Sequence, residues 1–413
     1  MKATVLFLLL CVPALADDLA AGQKAESNGD YATAFKKLLP LAKKGNAAAQ
    51  FTVGEMYDNG VPYTDRSKSY EPHPDYKEAA RWWRLAAQQG NASAQVEIGK
   101  LYRDGKGVSE DHKEAARWFR LAAEQGDADA QNNLGASYEK GQGAPKDYQE
   151  AARWYRLAAA QGQAWAQYNL GTMYSQGEGI PQGYKEAARW FRLAAEQGEP
   201  DAQNDLGVLY ANGLGVPQDY KEAVRWYRLS ADQADEHAQK NLGAMYEAGL
   251  GVPQDYKEAV RLYRLAAEQG YALAQNSLGT MYEAGHGVPQ DYKEAARWYR
   301  LSAEQGDALA QSNFGALYYE GHGIPQDYEQ AVRWFRPAAE HGQPEAQHNL
   351  GLCYGNGRGV PKDDVQAYMW LTLAGTAGFA DGIKTRDIIA DKMTPDQIAE
   401  AQRRAQEWKE NHN

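Results

Sequence analysis

Residues 127–161 read DADAQNNLGASYEKGQGAPKDYQEAARWYRLAAAQ, and this pattern recurs along most of the 413-residue chain. The tryptophan of the stretch belongs to a series with a constant spacing of 36 residues. The series comprises Trp82, Trp118, Trp154, Trp190, Trp226, Leu262, Trp298, Trp334 and Trp370. A fixed period of this length is typical of stacked supersecondary units, each of which is too small to bury its own apolar face. The sequence therefore predicts a solenoid.

Each unit contains the signals of two helices. In the first half, Ala130, Leu134 and Tyr138 lie at i, i+4 and i+8, which predicts an amphipathic helix, here called helix A. The second half opens with Asp147 three residues before Glu150, the spacing of a capping box, and it closes at a glycine that can end a helix. We therefore predict an antiparallel pair of helices, A and B, in every repeat.

Glycines recur at fixed positions inside the unit. Gly135 falls in the middle of helix A, where a glycine costs roughly 1 kcal/mol relative to alanine, so its recurrence predicts close packing by a bulky neighbour. From shape alone, Trp154 is the expected neighbour. Gly141 and Gly143 follow a helix rather than a strand and recur in every unit, so we interpret them as structural turns and not as a phosphate-binding loop.

Size and charge limit the function. The chain is longer than a typical single core and contains no internal linker, which favours one elongated array over several globules. The 44 basic and 55 acidic residues give a formal charge of −11, which argues against nucleic acid as the main partner. Beyond the N-terminal segment, no stretch is long and apolar enough to span a membrane.

The N-terminal residues predict export. Lys2, an apolar run from Ala3 to Val12 and the small residues around Ala16 have the pattern of a secretory signal peptide over residues 1–16. Leu10 is too large for the usual lipoprotein site before Cys11. We therefore expect an exported protein, periplasmic or secreted. Cys353 would then be the remaining cysteine, which excludes an intramolecular disulfide.

The recurring motif Ala-Gln-x-x-Leu-Gly-x-x-Tyr-x-x-Gly-x-Gly-Val-Pro resembles the Sel-one-like repeat (SLR), a relative of the tetratricopeptide repeat. The resemblance covers nearly the whole mature chain. It implies an all-α, right-handed superhelical α-solenoid of about ten helix pairs, with A helices on the concave side and B helices on the convex side. It also implies a role in scaffolding protein complexes. The expected organisation is a signal peptide at 1–16, the repeat array at 17–378 and C-terminal capping helices at 379–413.

Two features depart from the repeat. The second repeat carries extra residues in the loop 61–74, including Tyr63, Tyr70 and His73, which tolerance of loops to insertion explains more simply than a contact does. Pro40 and Pro337 occupy a late position of helix B, where each is expected to kink or shorten the helix.

The tetratricopeptide pattern places some variable helix A positions on the concave surface. They vary between copies, as a surface that binds a particular ligand would, although a merely solvated face would vary as well. The candidate partner-binding residues are Asp129, Asn132, Glu139, Lys140, Trp165, Tyr168, Asn204, Lys240, Asn276, Ser312, Tyr319 and His348. Among them, Trp165 and Tyr168 share a helix face, and such aromatic residues are favoured interface anchors. Packing under the neighbouring repeat is the alternative.

Catalysis finds little support in the sequence. Cys353 occupies a slot filled elsewhere by Ser137, Met173 or Leu209, so we interpret it as a small buried hydrophobic residue despite His348 nearby. His286 and His322 share a loop slot one repeat apart and are interpreted as exposed histidines, not metal ligands. We expect no cofactor and no metal site.

The sequence therefore favours a monomeric, non-catalytic adaptor of the bacterial cell envelope that binds a protein or peptide through its helix A surface. One alternative is a module that binds peptidoglycan, another cell-wall glycan or a wall peptide. The other is a β-lactamase-like hydrolase, which is disfavoured because the cysteine pairs of the related cysteine-rich proteins are absent.

Overall fold

The computed structural model describes residues 17–60 and 73–412, and all regular secondary structure in these two ranges is helical. The predicted signal peptide and residues 61–72 of the predicted long loop lie outside them. The A helices are α1 (residues 17–27), α3 (Ala47–Asp58), α5 (Ala92–Asp104), α7 (Ala128–Lys140), α9 (Ala164–Gln176), α11 (Pro200–Asn212), α13 (Glu236–Ala248), α15 (Ala272–Ala284), α17 (Ala308–Glu320) and α19 (Pro344–Asn356). The B helices are α2 (Tyr31–Lys43), α4 (Tyr76–Gln88), α6 (His112–Glu124), α8 (Tyr148–Ala160), α10 (Tyr184–Glu196), α12 (Tyr220–Ala231), α14 (Tyr256–Glu268), α16 (Tyr292–Glu304), α18 (Tyr328–Glu340) and α20 (Asp364–Thr376).

The ten A/B pairs confirm the predicted all-α solenoid of helix-pair repeats. Two further helices follow, α21 (Ala380–Ala390) and α22 (Pro395–His412). The chain forms two compact units: one contains Met1–Ala202 with Leu214–Val216, and the other contains Gln203–Gly213 with Pro217–Asn413. None of the described helices is both long and apolar enough to cross a bilayer.

A large side chain of helix B packs directly on the mid-helix glycine of helix A, and in most pairs it is an aromatic ring. A Cβ atom at Gly135 would lie 2.7 Å from the ring of Tyr155, so alanine cannot replace this glycine without moving the ring. The prediction of close packing is confirmed, but the expected neighbour, Trp154, is wrong. Trp154 is buried in the same core cluster as Phe119 of the preceding repeat. The two rings separate because successive residues of a helix point about 100° apart.

Helix B begins with half of the predicted capping box. Asp147 accepts hydrogen bonds from the backbone N–H groups of Gln149 and Glu150 at 2.9 and 3.1 Å. The backbone N–H of Asp147 donates to the carbonyl of Tyr138 at 2.9 Å, so it is not available to Glu150. Glu150 accepts from Arg153 instead, at 3.2 Å. The prediction was therefore right about the cap and wrong about the reciprocal bond.

The loop glycines join consecutive repeats. Gly143 has φ 77°, and a Cβ atom there would lie 1.9 Å from the carbonyl oxygen of His112, at the start of the preceding helix B. Only glycine allows the two backbones to approach this closely at a positive φ. The interpretation of these glycines as structural is confirmed.

The two helix prolines do not shorten their helices. Helix α2, which contains Pro40, and helix α18, which contains Pro337, are both 13 residues long. The same length is found in α8 and α14, which have leucine in this slot. The helices are therefore not shortened, since each continues beyond its proline, and the alternative expectation of a kink stays a prediction.

Buried glutamines connect each repeat to the next. Gln131 donates through Nε2 to the carbonyl of Ala123 at 3.2 Å, and its Oε1 accepts from Gln161 at 2.8 Å. We call the repeated arrangement the glutamine ladder. Its side-chain pairs are Gln50 with Gln89, Gln95 with Gln125, Gln131 with Gln161, Gln167 with Gln197, Gln203 with Gln233, Gln239 with Gln269 and Gln275 with Gln305. The ladder satisfies polar groups that would otherwise destabilise the core.

The glutamine ladder ends toward the C-terminus. His341 occupies the slot of Gln305, and the buried Oε1 of Gln311 has no donor. Ala377 occupies the next slot, and Oε1 of Gln347 likewise has none. A buried acceptor without a donor destabilises the folded state.

The substitution His341→Gln should therefore raise the free energy of unfolding by about 1 kcal/mol, because it supplies the missing donor to Gln311. The matched change Gln305→His should lower it by a similar amount, since Gln275 loses its donor. Urea denaturation followed by circular dichroism measures both. A midpoint that does not rise for His341→Gln would contradict the assignment.

Helix α12 ends in a strained conformation. Ala234 has φ 68° and is the one non-glycine residue with a positive φ among the described residues. The same slot holds Gly162, Gly198 and Gly270 in other repeats, with φ between 90° and 96°. A residue with a Cβ atom is strained in this region.

The substitution Ala234→Gly should stabilise the protein by up to about 1 kcal/mol, because the relief of strain exceeds the added chain entropy of glycine. In the matched control, Gly270→Ala should destabilise it. Thermal unfolding of both variants beside the parent checks the pair, and a lower midpoint for Ala234→Gly would refute it.

Helix α22 covers the last repeat. Ala401 and Ala405 are buried, and the rings of Trp408 and Trp370 lie 6.2 Å apart. On α20, Met369 occupies the slot that carries an exposed arginine such as Arg153 in other repeats, and it is buried. The C-terminal helix thus replaces the apolar contacts that a further repeat would provide.

Candidate partner-binding surface

One slot near the start of helix A exposes large apolar side chains. Trp165, Leu273 and Leu309 occupy it and are 47%, 45% and 47% exposed. The same slot holds Asp129 and Glu345 in other repeats, so nothing in the packing requires an apolar residue there. The side chain points outward because the next residue, the buried alanine of the repeat, faces the core.

The predicted aromatic pair lies in this region. Trp165 and Tyr168 make an edge contact with their ring centroids 6.3 Å apart. Tyr168 also packs against Phe191 at 5.8 Å and is half-buried. Tyr168 is thus held by the core of its own repeat, whereas Trp165 offers much of its ring to a partner.

Three of the candidate residues are buried and do not lie on the surface. Asn204, Asn276 and Ser312 are 8%, 7% and 3% exposed, so they cannot contribute much area to a partner contact. In every second repeat, the asparagine in this slot instead accepts a hydrogen bond from an asparagine of the next A helix. The bonds are from Asn169 to Asn132 at 3.0 Å, from Asn241 to Asn204 at 3.0 Å and from Asn313 to Asn276 at 3.1 Å. A period of two repeats, visible in the sequence, was the signal for this role.

The other candidates divide by burial. Asp129 and Lys140 are exposed, and Lys240 is half-buried. His348 lies against Phe379 with the rings 5.1 Å apart, because α21 covers it. Tyr319 is partly buried, and the Arg358 guanidinium donates to its hydroxyl at 2.6 Å.

Glu139 has an internal partner that sequence reasoning missed. It accepts a hydrogen bond from the hydroxyl of Tyr155 at 2.6 Å. Burial, followed by the Glu139 charge, raises the pKa of Tyr155. Repeats with the same pair are Tyr263 with Glu247 and Tyr299 with Glu283, both at 2.5 Å. Where the slot lacks glutamate, the ring is phenylalanine at 119, 191 and 335 but tyrosine at 227, so the pairing along the chain gave a partial signal for the contact.

The two sets of helices differ in charge. Among the described A helices α3–α19, acidic side chains outnumber the basic ones, which are Lys100, Arg103, Lys140 and Lys240. The B helices show the reverse, with a lysine and two arginines in most repeats. Most second-turn arginines are held internally: Arg153, for example, bonds Glu150 and lies over the Trp154 ring at 5.3 Å. Of the two sets of helices, the A helices therefore carry the excess of negative charge, and acidic cap residues in the loops add to it.

Acidic residues of the first repeats affect one another. Burial, followed by the charges of Glu26, Glu97 and Asp58, raises the pKa of Glu55 from 4.5 to about 7. The folded state thus binds a proton more tightly than the unfolded state does. Between these two pKa values the stability contributed by this group falls as the pH rises.

The substitution Glu55→Gln should remove this dependence. The melting temperature of the parent should fall, relative to that of Glu55→Gln, as the pH rises from about 4.5 to about 7, because the carboxylate ionises near like charges. Glu97→Gln should reduce the slope partly. Melting curves across this pH range give the comparison, and parallel curves for parent and Glu55→Gln would disprove it.

The candidate reactive groups, Cys353, His286 and His322, all make packing contacts. Cys353 is fully buried, and burial raises the pKa of its thiol to about 12, so the thiol is protonated at neutral pH. His286 stacks on Tyr256 at 4.6 Å and His322 on Tyr292 at 4.8 Å, and both histidines are exposed as predicted. No group of three potential metal ligands occurs in the described ranges.

The fold and the exposed surface define a helix-pair repeat protein of the α-solenoid class. The Sel1 repeat model matches nine consecutive segments, at residues 47–91, 92–127, 128–163, 166–199, 200–235, 236–271, 272–307, 308–343 and 344–379. The chain therefore belongs to the Sel1 repeat family, as its motifs predicted. The first helix pair, α1 and α2, precedes the matched segments.

Solved structures agree with this assignment. The chain is 33% identical to a protective antigen present in uropathogenic Escherichia coli strains that displays an SLR fold, with a TM-score of 0.62 over 96% of this chain and 92% of that one. It is 35% identical to a Sel1 repeat protein from Oxalobacter formigenes, with a TM-score of 0.56 over 75% of this chain and 89% of that one. No curated protein matches the sequence. Sel1 repeat proteins typically act as scaffolds for protein interactions and are generally non-catalytic.

Proposed function

We propose that this protein is a non-catalytic adaptor of the bacterial cell envelope that holds a protein partner on the exposed starts of its A helices. The observation that carries the proposal is the exposure of Trp165, Leu273 and Leu309 in a slot that tolerates aspartate elsewhere. Tryptophan is enriched among the residues that contribute most of the binding energy at protein interfaces. The exposed part of the Trp165 ring makes no comparable contact among the described residues. Export rests on the pattern of residues 1–16.

The family supports a binding role over a catalytic one. Sel1 repeats are typically interaction scaffolds, and the buried thiol of Cys353 is in no state to act as a nucleophile. The partner surface is narrower than the sequence suggested. It includes Asp129 and Trp165, at the starts of α7 and α9, and excludes Lys140, the last residue of α7, together with the buried polar positions of the A helices.

The substitution Trp165→Asp should abolish partner capture and leave the melting temperature nearly unchanged. Other repeats already hold aspartate in this slot, as Asp129 and Asp201. The matched control Leu157→Asp changes an exposed leucine of helix B and should preserve capture. By contrast, Trp154→Ala removes a buried ring and should cost about 3 to 5 kcal/mol of stability.

The experiment is photocrosslinking in the native envelope, with a photoreactive amino acid at position 165 or at position 157. A protein adduct that forms at 165 but not at 157 supports the adaptor function. Adducts confined to purified cell wall would instead indicate a wall ligand. Hydrolysis of a chromogenic β-lactam by the purified protein would overturn the non-catalytic assignment.

A further inference from the structure

We propose that His237, Tyr271, Leu273 and Leu309, here called the apolar row, bind a cationic peptide segment with an apolar residue at every third position. This proposal rests on the proposed function, because it specifies the partner chemistry for the surface of the second unit. All four residues belong to that unit.

The four side chains form a series across three consecutive A helices. His237, Leu273 and Leu309 occupy one slot in α13, α15 and α17, and all three are exposed. Tyr271 bridges the first two repeats, because its ring lies 4.6 Å from that of His237 in an edge contact. Each of the three adjacent repeats therefore contributes an aromatic or an aliphatic side chain to the row.

Tyr271 breaks the local rule for starting helix A. Asp235 and Asp307 occupy the same slot and accept hydrogen bonds from the N–H groups of Ala238 and Ala310 at 2.6 and 2.7 Å. Tyr271 forms no side-chain cap for α15. A capping side chain stabilises a helix, so the loss at Tyr271 needs a compensating role. Places where a sequence departs from such a rule are often functional.

The surroundings of the apolar row are acidic. Glu236 and Asp235 lie near enough to Tyr271 to help burial raise the pKa of its hydroxyl. Asp307 caps the helix that carries Leu309, and Glu345 follows in the next repeat. A helix start contributes only about half a positive charge, so the full carboxylates dominate the local field.

Basic side chains on these helices are scarce. Within α13, α15 and α17, Lys240 is the single lysine or arginine, and it is half-buried. The charge complementary to the row is therefore positive. A lysine-containing segment would meet the carboxylates while its apolar residues contact Leu273 and Leu309, and this arrangement would favour rapid and specific association.

We infer the conformation of the segment from the general spacing of packed helices, applied to α13, α15 and α17. Packed neighbouring helices lie about 8 to 10 Å apart. A polyproline II helix advances about 3.1 Å per residue with three residues per turn, so it presents every third side chain on one face at about 9 Å. A β-strand presents every second side chain and does not match this spacing. Extended proline-containing segments also bind aromatic grooves with little loss of chain entropy.

The test uses the purified protein and three labelled synthetic peptides. The first contains repeated Lys-Pro-Leu units, the second repeated Glu-Pro-Leu units and the third repeated Lys-Pro-Ser units. Fluorescence anisotropy should show that the first binds at least about tenfold more tightly than either of the others. Raising the salt concentration should weaken its binding, because the surface carboxylates are screened.

Variants separate binding from folding. Leu273→Ser combined with Leu309→Ser should reduce affinity for the Lys-Pro-Leu peptide at least about tenfold, with little change in melting temperature, since Ser93 occupies this slot in α5. The matched control is Leu265→Ser, at an equally outward leucine of helix B. Tyr271→Asn should weaken binding and at the same time raise the melting temperature, because asparagine caps helix A at Asn91.

The results of these experiments distinguish between the possible occupants of the apolar row. Equal binding of the lysine and glutamate peptides, or binding unchanged by the double serine variant, overturns the proposal. Self-association of the parent that the double serine variant abolishes also overturns it, because a second copy then covers the row. If these results occur while crosslinking at position 165 still captures a protein, the adaptor function stands and only the partner chemistry is wrong.

Discussion

The close contact between a large apolar side chain, in most repeats an aromatic ring, and a glycine backbone is the interaction on which each repeat depends. At Gly135 the ring of Tyr155 occupies the space that a side chain would need. This contact brings helix B onto helix A and fixes the faces that the pair presents to its neighbours. The slot paired with Gly99, Gly171 and Gly315 holds phenylalanine, and Gly351 meets Leu371. The slot therefore always holds a large side chain, whereas its ring and its hydroxyl group vary between repeats.

Interactions between repeats include polar groups placed at fixed positions of that pair, in addition to apolar packing such as that of Trp154 with Phe119 of the preceding repeat. The glutamine ladder, the loop glycines and the alternate asparagine pairs each satisfy or approach backbone and amide groups of the next repeat. Every position used in this way becomes unavailable to a partner. The variable slots that remain exposed, such as those of Trp165 and Leu273, are accordingly few. Substitutions at these slots can then change binding specificity without destabilising the packing between repeats.

The two proposals place function where stability is not optimised. Tyr271 omits a helix cap, and Leu309 exposes apolar surface where Asp129 shows that a charge is tolerated. Strain elsewhere does not point to function in the same way. Ala234 is strained, yet it lies at the end of helix B and exposes no large apolar group. The combination of a broken local rule with accessible apolar area is what identifies the apolar row.

The sequence by itself determined the period, the helix pair, the aspartate caps and the glycine turns, because these depend on local propensities that repeat every 36 residues. It also predicted Trp165 as a candidate anchor, and the structure leaves this side chain exposed. Only the tertiary structure decided that Tyr155 rather than Trp154 meets Gly135, and that Asn204 is buried. Neighbouring positions on a helix point in different directions, and which direction is covered depends on the adjacent repeat, whose placement no local pattern specifies.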